Sequence, residues 1–365
     1  MAALFTSARL GKLQLANRIL VAPMCQYSAI AGVAQPWHEQ HWGHLAVSGA
    51  AALTIEATAV EPCGMITHGC LGLWNDLQAE ALRSTLTRIR GYANLPIGIQ
   101  LAHAGRKGSV ARPWDGGQPL REAENAWRTV APSALPWSVN WPEPLGLDEA
   151  GMDRIVQAFA HAANLANASG MDFIELHAAH GYLMHSFLSS VSNQRSDSYG
   201  GSIENRMRFP LSIVRAVRQC WPQTRTMGMR INGTDWVEGG WTVADAVHFA
   251  TSLVKEGVDY LSVSSGGVRG GVAIKLEPGY QVPLATAVRR AIACPVICAG
   301  LIAEPQHAES IIATQKADFV ALARAMLDDP RWPIHAARTL NGNASFPPPY
   351  QLAAVGKWPL ASTNR

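Results

Sequence analysis

The 365-residue chain lacks any block of basic residues; 30 Lys and Arg stand against 27 Asp and Glu, for a formal net charge of +3. A nucleic-acid groove needs a concentrated basic stripe and a polybasic membrane patch needs similar clustering, so neither partner is expected. No stretch reaches the ~18 apolar residues that a bilayer span requires. The opening MAALFTSARLGKLQLANR has neither the apolar core segment nor the small-residue cleavage site of a secretory signal. Cysteine is sparse: Cys25, Cys63, Cys70, Cys220, Cys294 and Cys298, with no C-x-x-C pair. That spacing argues against zinc-ribbon and thioredoxin sites and fits reduced thiols in the cytoplasm.

What the chain does have is apolar content, 48% of it hydrophobic, arranged in eight short β-rich runs. They are Arg18–Met24, Ala52–Ala57, Ile97–Ala102, Phe173–His177, Thr226–Ile231, Tyr260–Val263, Pro295–Ala299 and Phe319–Ala323. Amphipathic stretches separate them; Asp153–Asn167 carries Ile155, Val156, Phe159, Ala162, Ala163 and Ala166 at helical spacing. Eight strand–helix alternations predict an α/β fold, a (β/α)₈ TIM barrel, formed by residues 1–365 as a single domain. A doubly wound sheet would carry a Gly-rich turn after its first strand, and here Pro23-Met24-Cys25-Gln26-Tyr27 follows instead. Leu10–Ala16 reads as an N-terminal hairpin plugging the barrel bottom. Residues 107–146, rich in Pro, Trp, Gly and Asn, form a long insertion after strand 3 that is expected to cap the mouth. The tail after Pro347 is predicted to be extended.

In such a barrel the chemistry belongs at the C-terminal strand ends. The fourth run ends in His177-Ala178-Ala179-His180-Gly181-Tyr182. Neutral imidazoles can donate to one carbonyl oxygen, and a tyrosine hydroxyl stays protonated at neutral pH. Together they could polarise an enone and protonate its α-carbon. The alternative is a zinc pair, which requires a third protein ligand. The histidines of Trp37–His44 read as satisfied or surface groups of a first helix, and His68 and His103 as structural. Cys298-Ala299-Gly300 and Ala321-Leu322-Ala323-Arg324 end strands 7 and 8, where barrels bind phosphate; Arg324 adds a bidentate cation. Gln100 and Arg230 end strands 3 and 5. An amide suits a flavin's pyrimidine edge and a guanidinium suits its reduced anion; an ordinary interior polar layer is the alternative. Ala57 is small enough to admit a flat ring. Cys25 reads equally as a small buried hydrophobe, and Glu56 and Glu175 as paired carboxylates inside the barrel.

The strings Ala22-Pro23-Met24-Cys25-Gln26-Tyr27, Glu56-Ala57-Thr58-Ala59 and Gln100-Leu101-Ala102-His103-Ala104-Gly105-Arg106-Lys107 resemble the old yellow enzyme family. So do His177–Leu183 and Tyr199–Arg206, and the order holds to about Pro333. The cysteine after Pro-Met and the paired histidines resemble its thermophilic-like, xenobiotic-reductase subclass. The resemblance implies FMN held by Ala22, Pro23, Met24, Cys25, Ala57, Gln100, Arg230, Gly300, Ala323 and Arg324, with Cys25 tuning the flavin. It implies reduction by NADPH or NADH in a ping-pong cycle, and hydride delivery from flavin N5 to the β-carbon of an activated alkene (enone, enal or maleimide) or to a quinone. Tyr27, His177, His180 and Tyr182 would face the substrate, Tyr182 would supply the proton, and Arg106 and Lys107 would lie near the mouth. A homodimer or homotetramer is implied. The chain departs from the family in having Ala323-Arg324 where Gly-Arg is usual. Members often send a C-terminal arginine or tryptophan into a neighbouring subunit's site; no arginine follows Tyr350 closely, and Trp358 is the residue of that kind available.

Overall fold

The structure is a computed structural model, described for residues 2–344, 346–354 and 357. The hairpin β1 (Ala8–Leu10) and β2 (Leu13–Leu15) comes first, pairing antiparallel. β3 (Ile19–Val21), α1 (Pro36–Ala46), β4 (Ala52–Ala59), α2 (Asp76–Arg90) and β5 (Ile97–Ala102) follow. The excursion that comes next holds the short pair β6 (Val130–Ala131) and β7 (Leu145–Gly146). Then come α3 (Glu149–Ala168), β8 (Phe173–Ala178), α4 (Leu183–Leu188), α5 (Ile203–Cys220), β9 (Thr226–Asn232), α6 (Val243–Lys255) and β10 (Tyr260–Ser264). The chain continues through α7 (Val282–Ala291), β11 (Val296–Cys298), α8 (Pro305–Ala313), β12 (Phe319–Leu322), α9 (Arg324–Asp328) and α10 (Trp332–Thr339). β3, β4, β5, β8, β9, β10, β11 and β12 close a parallel barrel in that order. Each of the eight apolar runs is one barrel strand, so the expected TIM barrel is the fold.

Two layers of packing hold it. Outward residues of the strands, among them Leu53, Ile55, Ile99, Leu101, Ile174 and Leu176, meet the apolar stripes of the helices. On α3, Ile155, Phe159, Ala162, Ala163 and Ala166 are buried and Val156 is partly so; Phe159→Ala in that seam should cost ~3–5 kcal/mol. Inside the barrel, Phe173, Tyr260, Ile297 and Phe319 fill the lower half together with Leu10 and Leu15 of the hairpin. Lys12 N donates to Thr226 Oγ1 at the start of β9, so the hairpin plugs the bottom, as the sequence suggested. Gly98 and Gly228 leave room for those rings: a Cβ at either would overlap Phe173 or Tyr260.

Two local expectations change, and β4 carries an irregularity that the sequence did not show. The first strand stops at Val21, before Pro23, because a proline has no N–H to donate to the ladder. In β4 the register slips by one between Ile55 and Ala57. The extra residue, Glu56, leaves Ala57 opposite Gln100; its Oε1 accepts from Gln26 N at 3.1 Å and lies 3.5 Å from His38 Nε2. The segment after Pro347 is a 3₁₀ turn, Pro348–Ala353, rather than extended; proline's fixed φ suits the first turn of a helix, where its missing N–H costs nothing. Trp358 lies outside the described residues.

Candidate active site

Alternation along the strands builds the site upward from the aromatic floor. On β8, Phe173 points into the barrel, so Glu175 and His177 do too, two and four residues on. Register places Glu175 beside Gln100 of β5 and Gly228 of β9, His177 beside Arg230, and Asn232 beside Ser264. Gln100 Nε2 donates to Glu175 Oε1 at 2.7 Å and Tyr260 Oη to Oε2 at 3.2 Å. Burial pushes the Glu175 carboxyl up, against the pull of Arg230. Glu175 is thus the paired interior carboxylate expected from the sequence. Arg230 Nη2 reaches Ser264 Oγ at 3.4 Å, while its Nε is buried with no partner among the described residues.

Above this layer stand two imidazoles and a phenol. His177 Nδ1 accepts from Ala179 N at 3.2 Å, which leaves the proton on Nε2. His180 adopts a left-handed backbone, φ +60°. Its N–H donates to Asn232 Oδ1 at 3.1 Å, and its Nε2 lies 2.6 Å from Ser264 Oγ. The His177 ring is 5.1 Å from that of His180 and 4.9 Å from that of Tyr182, perpendicular to both. Burial, reinforced by Arg230, holds both imidazoles well below the usual histidine range, so they are neutral at pH 7. Burial pushes the Tyr182 hydroxyl up, so it keeps its proton.

The loop after β3 brings Cys25 and Tyr27 to the same end. The Ala22 amide donates to Leu322 O at 2.9 Å, closing β12 onto β3. Burial, then Cys70 and Glu56, push the Cys25 thiol up, and Tyr27, at φ +50°, stacks edge-on at 5.9 Å with Trp114 of the excursion. Pro23 and Met24, between Ala22 and Cys25, are half-buried. After β11, Gly300 takes φ +114° beside Tyr280 and Gln281. Gln281 Nε2 donates to Tyr280 Oη at 2.5 Å, and its Oε1 is buried without a partner among the described residues. Ala323 is half-buried; Arg324, exposed at the start of α9, has no hydrogen-bond or ion-pair partner among the described residues.

The sequence reading missed Ser264, Asn232, Tyr280 and Gln281. Ser264 and Asn232 are strand ends, one residue beyond the apolar runs that pointed to their neighbours. Tyr280 and Gln281 follow a glycine-rich loop with no local signal. A separate cluster joins Glu61, Cys63 and His103. His103 Nδ1 accepts from Gly105 N at 3.0 Å, so its Nε2 is a donor to Glu61 at 2.8 Å, and Arg154 pairs with the same carboxylate. These bonds satisfy the cluster internally, and burial lowers His103 to about 3. On α1, His38 is fully buried, His41 half-buried and His44 exposed, so the three do not share a face.

A model of the NADH:flavin oxidoreductase / NADH oxidase family matches residues 3–343. The chain belongs to that family, the one of old yellow enzyme. A NADPH dehydrogenase of Geobacillus sp. (strain WCH70) is 39% identical over 350 residues, 95% of this chain and 97% of that one. One from Listeria innocua is 36% identical over 97% and 99% of the two chains. Among solved structures, morphinone reductase superposes with a TM-score of 0.77 at 27% identity, covering 95% of this chain and 92% of its own. The chain is thus an FMN-dependent oxidoreductase. Its residues fit the cofactor: the orphaned Arg230 Nε, the orphaned Gln281 Oε1, the small Ala57 and the free Arg324 guanidinium lie on elements that meet at one barrel end. Among the described residues no helix is long and apolar enough to cross a membrane.

Proposed function

We propose that the enzyme reduces the C=C bond of activated alkenes, such as enones, enals and maleimides, and also quinones, with NADPH or NADH as reductant. The observation that carries this is the pair of neutral imidazoles 5.1 Å apart with a protonated phenol 4.9 Å from one of them. Ala22, Pro23, Met24, Cys25, Ala57, Gln100, Arg230, Gly300, Ala323 and Arg324 would hold FMN, with Gln281 as a further partner. When bound, FMN supplies hydride exchange between the nicotinamide and the alkene.

The chain's own side chains do the rest. His177 Nε2–H and a nitrogen of His180 donate to the substrate's carbonyl oxygen, and these bonds strengthen as charge builds on it. Burial, reinforced by Arg230 next to His177 in register, keeps both rings neutral, so they act as donors and not as acids. Tyr182 transfers its proton to the α-carbon, and Tyr27 faces the substrate from the loop after β3. The excursion over 107–146 caps the mouth: Arg106, just before it, donates to Leu135 O and Pro136 O within it and to Val268 O of the facing loop. The whole chain would act as a single domain, in a homodimer or homotetramer. All six cysteines are free, which supports a reducing, cytoplasmic setting.

The test is the visible spectrum of the purified protein under anaerobic conditions. Flavin absorbance that bleaches with NADPH and returns with cyclohexenone is the expected result. Bleaching that cyclohexenone does not reverse, while ferricyanide does, would defeat the alkene reading.

A further inference from the structure

Lys107 lies five residues beyond the end of β5, as the last residue of a 3₁₀ turn, Gly105–Lys107. Its ammonium has no carboxylate partner among the described residues. It donates instead to two backbone carbonyls from different loops, His180 O at 2.6 Å and Gly267 O at 3.2 Å. Nζ also lies 5.0 Å from the centre of the Tyr182 ring and 4.9 Å from that of Trp137, whose indole donates to the same Gly267 O at 2.9 Å. The two loops touch: a Cβ at Gly181 would overlap Gly267 O, and a Cβ at Gly267 would press on the His180 carbonyl. Two carbonyls brought this close repel each other unless a donor sits between them, and the ammonium is that donor.

His180 needs such a grip. Its φ of +60° is unfavourable for a residue with a Cβ and persists only where neighbours impose it. Asn232 takes its N–H and Lys107 takes its C=O, so both flanking peptides are pinned. We propose that Lys107 is a positioning residue for the reaction above: its ammonium clamps the His180 peptide to the Gly267 loop and so holds the His180 imidazole and the Tyr182 ring in their facing arrangement. The inference rests on reading His177, His180 and Tyr182 as the substrate-facing set. A cation left without a counter-ion in a partly buried place is costly to keep charged; burial, then Arg106, draw this group down to about 7, where ammonium and neutral amine coexist, and either form has the two N–H donors that the two carbonyls take. Retaining it there makes sense if the clamp is what the site needs.

The experiment compares the full-length flavoprotein with Lys107→Met and Lys107→Arg. Turnover of cyclohexenone should fall about tenfold to a hundredfold in Lys107→Met, mainly in kcat, since a small misplacement of acting groups costs about that much. Lys107→Arg, which still bridges two carbonyls, should recover part of it. NADPH should still bleach the Met variant. Nitrogen NMR of ¹⁵N-histidine-labelled protein reads the clamp itself: the His180 ring signals should shift or broaden in Lys107→Met, while those of His103 remain in place. If Lys107→Met does not fold, Lys107→Gln, which keeps a donor without the charge, should show the same pattern at a smaller loss. A folded Met or Gln variant with turnover within about twofold of the parent, or with unmoved His180 signals, overturns the proposal. So does a loss of turnover that Arg does not relieve at all. A parent that NADPH bleaches but cyclohexenone does not reoxidise defeats the alkene reading, and the histidine signals still decide the clamp.

Discussion

The backbone amide of Ala179 donates to Nδ1 of His177 at 3.2 Å, and that bond decides which ring nitrogen can act. With Nδ1 occupied as an acceptor, the neutral ring carries its proton on Nε2, the nitrogen free to donate. His180 differs: its Nε2 is engaged with Ser264 Oγ at 2.6 Å. The two imidazoles are thus not equivalent donors.

It follows that His177 should matter more than His180 to turnover. His177→Ala removes an unengaged donor and should lower kcat for cyclohexenone by about 10²–10³, the usual cost of losing one such group. His180→Ala should cost less. Steady-state kinetics on both variants checks this; equal losses would mean that Ser264 releases His180 when substrate binds.

The barrel was legible because a buried parallel strand is a short apolar run, and eight of them alternate with helical stretches. The run Ile97–Ala102 coincides with β5 residue for residue. His177 ends such a run and Tyr182 follows five residues on, so the sequence alone puts both at that strand end, where the structure has them. The Lys107 clamp was not: its partners lie 73 and 160 residues away, and only the folded loops bring two carbonyls to one amine. Nor was the bulge at Glu56, which shows in the pairing with β5 and leaves no mark in the pattern of β4. The 3₁₀ turn at Pro348–Ala353 was misjudged because a proline run is compatible with both an extended chain and the opening of a helical turn.

Tyr182→Phe should still be bleached by NADPH, because the phenol is assigned only to the proton-transfer half of the cycle. Enone turnover should fall by about 10²–10⁴, the range for losing a positioned acid. Stopped-flow measurement of each half-reaction separates the two. Unchanged enone turnover would assign the proton to solvent.

Acid should destabilise the protein through its buried histidines. His103, His177 and His180 all have folded values below the ordinary one, His103 at about 3. In the unfolded chain they protonate near 6.5, so below that pH the unfolded state binds more protons than the native one. The stability they contribute is fully present above about 6.5 and is lost as pH falls towards the folded values, by up to about 1.4 kcal/mol per pH unit for each. Glu175, whose folded value is raised, works in the opposite direction above its ordinary value and blunts the slope. Tm should therefore fall from pH 7 to 5; a Tm that is level or rising over that range would mean the rings are protonated in the native state.

Gly181 and Gly239 both have positive φ, +75° and +69°, yet only one of them is confined. A Cβ at Gly181 would overlap the Gly267 carbonyl, whereas one at Gly239 meets nothing within 4 Å among the described residues. Gly239→Ala should thus carry only the cost of a left-handed alanine, about 1–2 kcal/mol, and leave enone turnover unchanged. Gly181→Ala adds the overlap and must push the His180 loop away from Gly267, so it should cost several kcal/mol in stability and lower turnover as well. Thermal melts and cyclohexenone kinetics on the pair separate backbone strain from loop contact. If the two variants melt alike, the junction yields to a methyl group, and the geometry of His180 and Tyr182 does not depend on how tightly these loops meet.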